Sequence, residues 1–490
     1  MSRSSWCSLL IPLALVVGVL SSTAWAGEKQ PSSTALKPNV VFLFADDLSY
    51  EALAYAGNGQ VKTPNLDRLA KQGTSFSHAY NMGSFSPAVC IASRSMLVTG
   101  RSVWKAQTLH AAGGKEPKNV VLWPRQMHGA GYQTFITGKW HVPWNPMLAF
   151  DVTAHVRGGM PKDVPSFYDR PHSDKPDTFD PANPGNGGYW QGGKHWSEVT
   201  ADDAVEFFSA SRDKSRPCFM YVAFNAPHDP RQAPQTYLDR YPTETIEVPK
   251  DFQPLYPERA SIGADEKLRD EKLAPFPRTE FAVRTHRREY YALITHLDDQ
   301  IGRILDAIEQ TKSDRPTMVM FTADHGLACG HHGLMGKQNM YDHSIRVPLI
   351  IAGENIPQGK TIDVPVYLQD VMPTALELAG VAPGPEVHFH SLLPIVRGEQ
   401  KVSNYPAIYS SYLNLQRCVV KDGFKLVVYP ALPAAKLFDL QHDPLELSDL
   451  SADPNHATRK EQLFDALVAE AESISDPLDL AAARKKLFPQ

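Results

Sequence analysis

The sequence predicts an α/β protein: a sheet of mostly parallel, deeply buried strands covered by helices on both faces, followed by a smaller α+β unit. Three observations carry this reading. Continuous apolar runs such as Asn39 to Ala45 (NVVFLFA) and Thr317 to Thr322 (TMVMFT) mark strands buried on both faces. Helical patterns alternate with them, the clearest being the core stripe Leu293, Ile294, Leu297, Ile301, Ile304, Leu305 and Ile308. The alternation then stops near residue 384, and Arg417 to Tyr429 reads as a hairpin turning at Lys421-Asp422-Gly423. A chain of 490 residues is long enough for one large domain and a smaller one.

In chain order, residues 1–26 have the arrangement of a secretory leader. Arg3 precedes the apolar run Leu9 to Leu20 and the small-x-small site Ala24-Trp25-Ala26. That run is shorter than the ~20 residues that span a bilayer, and no other segment is long enough, so no membrane anchor is expected. The expected location is secreted or periplasmic. Residues 27–383 are assigned to the large domain and 384–490 to the α+β subdomain. After the strand Asn39 to Ala45, Thr63-Pro64 opens a helix that Gly73 closes. Val120 to Met127, Tyr132 to Gly138 and Cys218 to Phe224 supply further helix and strand pieces, and Val347 to Ile351 another buried strand. Thr200-Ala-Asp-Asp203 has the form of a capping box ahead of a helix to Phe208. Residues 143–196, rich in Pro, Gly, His and Trp with little periodicity, read as long functional loops. With 40 prolines in the chain, rigid loops are expected throughout.

The net charge of -5 leaves no basic face for nucleic acid and no polybasic patch for a membrane surface. Beyond the leader the cysteines are Cys90, Cys218, Cys329 and Cys418. They lack CxxC spacing, which excludes a zinc ribbon and a disulfide-dense scaffold, and leaves a Cys218–Cys418 pair open. Cys90 is a lone thiol among small and polar residues in SFSPAVCIASRSMLVTG, four positions before Arg94. SRSMLVTGR can start a helix just after it, so an anion there would face a helix N-terminus.

The chemistry gathers where buried strands end. NVVFLFA runs into Asp46-Asp47, and TMVMFTA into Asp324-His325-Gly326. In open parallel sheets, ligands collect at the carboxyl ends of strands. One acidic pair there is commonly a helix cap, but two in one chain argue for a shared site. Like charges held together need a cation, and oxygen-rich ligation favours Ca²⁺ or Mg²⁺ over zinc, with the softer His325 leaving the choice open. Lys139 and His141 (GKWH) follow the strand YQTFITG, and an extended chain would put both on one face. His228 (APHDP) follows CFMYVAF, and Lys337 lies in the Gly-rich GHHGLMGKQNMYDHS. A metal, cations and general acids or bases, with Arg94 added, suit a doubly charged tetrahedral anion: a sulfate or phosphate ester.

CIASR followed by MLVTGR, with the DD, GKWH, APH, TADHG and HHGLMGK segments in order, resembles the type I, formylglycine-dependent sulfatases. These belong to the alkaline-phosphatase-like superfamily. Within that family the TADHG…GHHGLMGK…RVPLII block is most similar to iduronate 2-sulfatase and bacterial polysaccharide sulfatases, and LFDLQHDPLELSDL resembles the family's late segment. The resemblance implies an α/β/α sandwich and a sulfuric ester hydrolase. It implies that a formylglycine-generating or other sulfatase-maturing enzyme converts Cys90 to Cα-formylglycine, whose hydrate attacks sulfur. It implies a metal, usually Ca²⁺, held by Asp46, Asp47, Asp324 and His325 together with the modified Cys90. Arg94 would orient the hydrate, Lys139 and Lys337 neutralise sulfate, His141 act as base, and His228 serve the leaving alkoxide. Two positions depart from the commonest pattern: Ala92 stands where proline is usual in C-x-P-x-R, and His325 where many relatives carry Asn.

A phosphonate or phosphate diester hydrolase of the same superfamily is the nearest alternative. A secreted glycan-binding protein with a dead site is another, against which every site position is filled. A zinc site of His325, His331 and His332 is a third, against which the Gly-rich spacing reads as loop geometry. The expected substrate is a sulfated small molecule or glycan, a sulfated carbohydrate above all. Trp144, Trp190 and Trp196 are candidates to stack on its rings.

Overall fold

A computed structural model describes residues 36–113, 121–161, 164–311 and 313–488. The leader expected over residues 1–26 lies outside them. Among the described residues, no helix is long and apolar enough to cross a membrane.

The apolar runs become the centre of a nine-stranded sheet. Its strands are β1 (Asn39–Ala45), β2 (Gly73–Tyr80), β3 (Gln133–Lys139), β4 (Val152–Arg157), β5 (Cys218–Ala223), β6 (Thr317–Ala323), β7 (Arg346–Ala352), β8 (Lys360–Ile362) and β9 (Val366–Tyr367). The order is β4-β3-β5-β1-β6-β7-β2-β8, with β9 also on β2. Every residue of β1 is buried, as its unbroken apolar run requires.

The sheet is mixed rather than wholly parallel. β7 runs antiparallel to both β6 and β2. Parallel neighbours need a crossover, usually a helix. Between β6 and β7 lie only the Gly-rich loop and two single helical turns, His331–Gly333 and Asp342–Ile345, none long enough to carry the chain across the sheet, so it turns back. Two strands have weak sequence signals: β2 (GTSFSHAY) mixes polar and apolar residues, and β4 lies at the sheet edge within the stretch expected to be loop.

Counting helices of seven residues or more, α1 (Pro64–Gln72), α5 (Trp196–Glu206) and α6 (Glu280–Gln310) pack together. A second group holds α2 (Val89–Thr99), α3 (Val103–Ala111), α4 (Trp123–Gly129) and α7 (Val371–Leu378). The expected stripe from Leu293 to Leu305 is buried along α6. Thr200 does not cap a helix; it lies inside α5, whose first turn is capped by the His195 imidazole accepting from Ser197 N at 3.2 Å. Asp203 instead accepts from Thr137 Oγ1 at 2.6 Å, so the box pattern reflects a tertiary contact. Gly73 does not close α1 in a left-handed cap: at φ -138° it is extended and begins β2.

The C-terminal unit is a four-stranded antiparallel sheet of β10 (Ile408–Tyr412), β11 (Gln416–Lys421), β12 (Phe424–Tyr429) and β13 (Ala434–Asp439). α8 (Ala457–Ser473) packs on it, and α9 (Leu480–Leu487) follows. The hairpin turns at Asp422 (φ 52°) and Gly423 (φ 78°), the positive pair a type I′ turn needs. The two sheets are fastened by buried charge: Lys425 Nζ lies 2.5 Å from Asp342 Oδ1 and 2.7 Å from Glu446 Oε1. Cys90, Cys218, Cys329 and Cys418 are all buried free thiols, so the Cys218–Cys418 pair does not form.

Candidate active site

Strand register explains why residues far apart in sequence meet. Gly138 and Phe44 both pair with Ala223, and Ala45 pairs with Ala323. The carboxyl ends of β3, β5, β1 and β6 therefore stand in one row. The next residues are Lys139, Asp46-Asp47 and Asp324-His325, and a short loop beyond β5 carries His228.

All of these are buried, as are Cys90, Arg94 and Lys337, while His141 is half-buried. Lys139 Nζ pairs with Asp46 Oδ2. Lys337 Nζ reaches both oxygens of Asp47 at 2.9 and 2.8 Å. Arg94 Nε donates to Asp324 Oδ2 at 3.0 Å and its Nη1 to Lys139 O at 2.9 Å, with the guanidinium 4.5 Å over Phe44. Asp47 N donates to Asp324 Oδ1. Cys90 Sγ lies 3.2 Å from His141 Nδ1. His228 Nε2 stands 3.8 Å from Asp47 Oδ2.

The helix carrying Cys90 begins one residue before it, at Val89, rather than after it, and no side chain caps its start. The thiol thus stands in the first turn, where N–H groups and the helix dipole favour an anion. Lys139 and His141 do not share a face by strand alternation. His141 has φ 53°, which ends the extended chain, so Lys139 turns to Asp46 and His141 to Cys90. Asp47 also has a positive φ, of 65°. Such conformations cost about 1–3 kcal/mol and persist where the surroundings impose them.

The donor set fits a divalent cation. One donor atom each from Asp46, Cys90, Asp324 and His325 lie within 4.8 Å of one another, as do donors of Asp46, Asp47 and His228. Asp46 Oδ1 and His325 Nε2 are buried without a hydrogen-bond partner. His325 Nδ1 must carry its proton, because it donates to Gly326 O at 2.9 Å. Nε2 faces Asp47 Oδ1 at 3.2 Å and Asp324 Oδ1 at 3.5 Å: a protonated ring pairs with both, whereas a neutral ring sets its lone pair against them, acceptor against acceptor. Burial and the neighbouring Asp46 and Asp324 hold the Asp47 carboxyl well above the usual range against the pull of Lys337. A cation resolves both conflicts. Against burial, His325, Arg94 and Lys139 hold Asp324 well below the usual carboxylate range. Burial and then Lys139 push His141 down to about 3. Burial and Lys337 push His228 well below its usual value.

A family model described as Sulfatase matches residues 38–381. The chain belongs to the sulfatase family. A second model, N-sulphoglucosamine sulphohydrolase, C-terminal, matches residues 330–473 of this sulfatase. It is 28% identical over 449 residues to the choline-sulfatase of Rhizobium meliloti, covering 86% of this chain and 84% of that one. It is 24% identical over 540 residues to the N-acetylglucosamine-6-O-sulfatase of Bacteroides thetaiotaomicron, covering 95% and 90%. In fold it is similar to a solved 2-O GAG sulfatase (TM-score 0.71, 22% identity, 91% and 96% covered). It is also similar to the phosphonate monoester hydrolase of Agrobacterium radiobacter (TM-score 0.70, 20% identity, 89% and 96% covered). The chain is thus an enzyme that hydrolyses sulfate esters, in a family that generally uses a metal and a cysteine-derived formylglycine.

Around the centre of this sulfatase stand groups that sequence reading missed. Asp229 O accepts from His228 Nδ1 at 2.7 Å, and Arg269 clamps the Asp229 carboxylate. Asp270 Oδ2 lies 3.7 Å from Lys337 Nζ and accepts from Gln338 Nε2 at 2.8 Å. Asp229 stood inside the APHDP motif, but residues 254–278 carry no periodicity or motif that could have flagged Arg269 or Asp270. His331 and His332 are elsewhere: both contact Asp251, and neither joins a metal-capable group among the described residues, which removes the zinc reading. Trp144 is buried in the core and cannot stack on a sugar. Trp190 and Trp196 are half-buried, packed against His195 and Arg157.

Proposed function

We propose that this sulfatase is exported by residues 1–26 and removes sulfate from a carbohydrate, using Cys90 converted to Cα-formylglycine and a divalent cation, Ca²⁺ ahead of Mg²⁺. Residues 27–383 carry the chemistry, and residues 384–490 help wall the substrate pocket. The carrying observation is that Asp46 and His325 each bury a ligand atom without a hydrogen-bond partner, Oδ1 and Nε2, and that one ligand atom each of Asp46, Cys90, Asp324 and His325 lie within 4.8 Å of one another. The sugar-sulfatase relative at 24% identity supports the substrate class.

Asp46, Asp47, Asp324 and His325 would hold the cation, which when bound polarises the sulfate and its attacker. The converted residue 90 supplies two hydroxyls, one to take sulfur and one whose loss of a proton re-forms the aldehyde and releases sulfate. Arg94, locked by Asp324 and the Lys139 carbonyl, orients residue 90. Lys139 and Lys337 balance the charge of the sulfate. His141 Nδ1 accepts the proton of the second hydroxyl, and its lowered pKa keeps it unprotonated and able to accept at neutral pH. His228 gives its Nδ1–H to Asp229 O and turns Nε2 inward. A sulfate beside Nε2 favours the imidazolium, which can then protonate the leaving alkoxide.

The test is mass spectrometry of the Cys90 peptide after expression with a sulfatase-maturing enzyme, paired with turnover of defined sulfated saccharides and phosphodiesters. Loss of the thiol to the aldehyde and release of sulfate are expected. Full activity with intact cysteine refutes the nucleophile, and a large phosphodiester preference refutes the substrate class.

A further inference from the structure

Three loops at the carboxyl ends of neighbouring strands meet behind His141, and nothing in the mechanism above uses their contact. His141 follows β3, Gly159 follows β4, and Asn225 follows β5. A side chain at Gly159 has no room: a Cβ built there lies 2.9 Å from His141 Nε2 and 3.0 Å from its Cε1, and the third-nearest atom is also in that ring. The φ of Gly159 is outside the left-handed region, so its backbone does not demand glycine. What excludes a side chain is the imidazole. Gly159 is itself held. Its carbonyl accepts from Asn225 Nδ2 at 2.6 Å, Asn225 is 3% exposed, and the Asn225 carbonyl accepts from Tyr189 Oη at 2.5 Å. The other side is tied too, since Trp140 N donates to Arg157 O at 2.9 Å.

We propose that Gly159 and Asn225 are positioning residues for His141: Gly159 is the surface that sets the imidazole toward residue 90, and Asn225 fixes the height of that surface. The inference rests on the reading of His141 as the base. In that step His141 Nδ1 takes the proton from the remaining hydroxyl of sulfated residue 90. The O–H electron pair becomes the C=O bond, the C–O bond to sulfate breaks, and sulfate leaves with its electrons. Moving the ring away slows this step and leaves the earlier transfer of sulfate to residue 90, with release of the alcohol, intact.

Gly159→Ala tests it with little risk to folding, because the methyl meets the movable end of one side chain. Gly158→Ala is the control, since nothing lies within 4 Å of a Cβ there. Asn225→Ala removes the support without adding bulk. Each is made as converted, metal-loaded enzyme beside wild type and His141→Ala, and mixed with 4-nitrophenyl sulfate in stopped flow. Gly159→Ala should give a nitrophenol burst stoichiometric with converted sites, then a steady rate about 10- to 100-fold below wild type. Intact-mass measurement should find sulfate retained on residue 90, and Asn225→Ala should shift the same way by less. Gly158→Ala should match wild type. In the crystal structure of Gly159→Ala the imidazole should have left hydrogen-bond reach of residue 90. An imidazole that stays in place, or a variant whose burst and steady phases fall together, overturns the inference. If His141→Ala shows no burst, the base assignment fails as well. If it bursts and Gly159→Ala behaves as wild type, only the positioning role fails.

Discussion

Asp324→Asn separates the cation from everything else at the site. The amide keeps the side chain's volume and an oxygen that can accept from Arg94 Nε, now at 3.0 Å, but deletes one of three buried carboxylates. In wild type, a cation present at 100 times its Kd stabilises the folded state by about 2.7 kcal/mol. A folded chain of roughly 450 residues has an unfolding entropy of about 0.95 kcal/mol/K, so cation-loaded and chelated enzyme should differ in Tm by about 3 °C. In Asp324→Asn that difference should vanish. Metal content should fall with it, and kcat/KM should drop by about 10³-fold through loss of the polarising charge. Differential scanning fluorimetry across a calcium titration, with elemental analysis and kinetics on the same samples, reads all three. A variant that keeps the calcium-dependent Tm shift, or a wild type whose activity survives exhaustive chelation, would refute the assignment of the cation to these carboxylates.

Acid stability follows from buried imidazoles. Burial holds His195, His286 and His343 well below the usual value. The unfolded chain takes up protons near pH 6.5 that the folded chain refuses, so stability should fall below that pH by about 1.4 kcal/mol per unit per histidine. Against burial, Glu51 and Asp251 raise His331 to about 9; its contribution is full below about pH 6.5 and lost as pH rises through 9. A Tm profile flat from pH 7 to 5 would contradict this. Lys425→Met should leave Glu446 without a cation beside Asp342, which keeps only Arg346 at 3.5 Å, and cost about 3–5 kcal/mol in urea unfolding; a neutral result would show that the two sheets are held by packing alone. Gly83→Ala puts a Cβ 2.1 Å from Ser411 O at a φ of 103°, so it should destabilise by about 3 kcal/mol or more. Gly57→Ala, with the same φ but open space, should lose far less; equal Tm values would sink the clash argument.

Much of the site was legible because its residues are tied to strand ends. An apolar run ending in Asp-Asp or Asp-His states both where the strand stops and what it presents. Asp46, Asp47, Asp324, His325, Lys139 and His228 could therefore be found one strand at a time. Arg269 and Asp270 could not, because they come from an irregular segment that reaches Lys337 only through packing. Trp144 was misplaced for a related reason: an aromatic in an aperiodic stretch does not reveal whether it faces solvent or the core.

What the sequence by itself determined was local: which segments must be buried, which turns can form, and which charged groups stand where burial ends. These follow from hydrophobic periodicity and turn chemistry, which act over a few residues. What only the tertiary structure decided was direction and distance. β7 runs antiparallel because no helix carries the chain across the sheet, and β4 forms because β3 offers it an edge. His141 leaves the extended chain and lies over Gly159, brought there by a strand whose own residues scarcely announce it. Backbone pairing and excluded volume between distant segments set those outcomes.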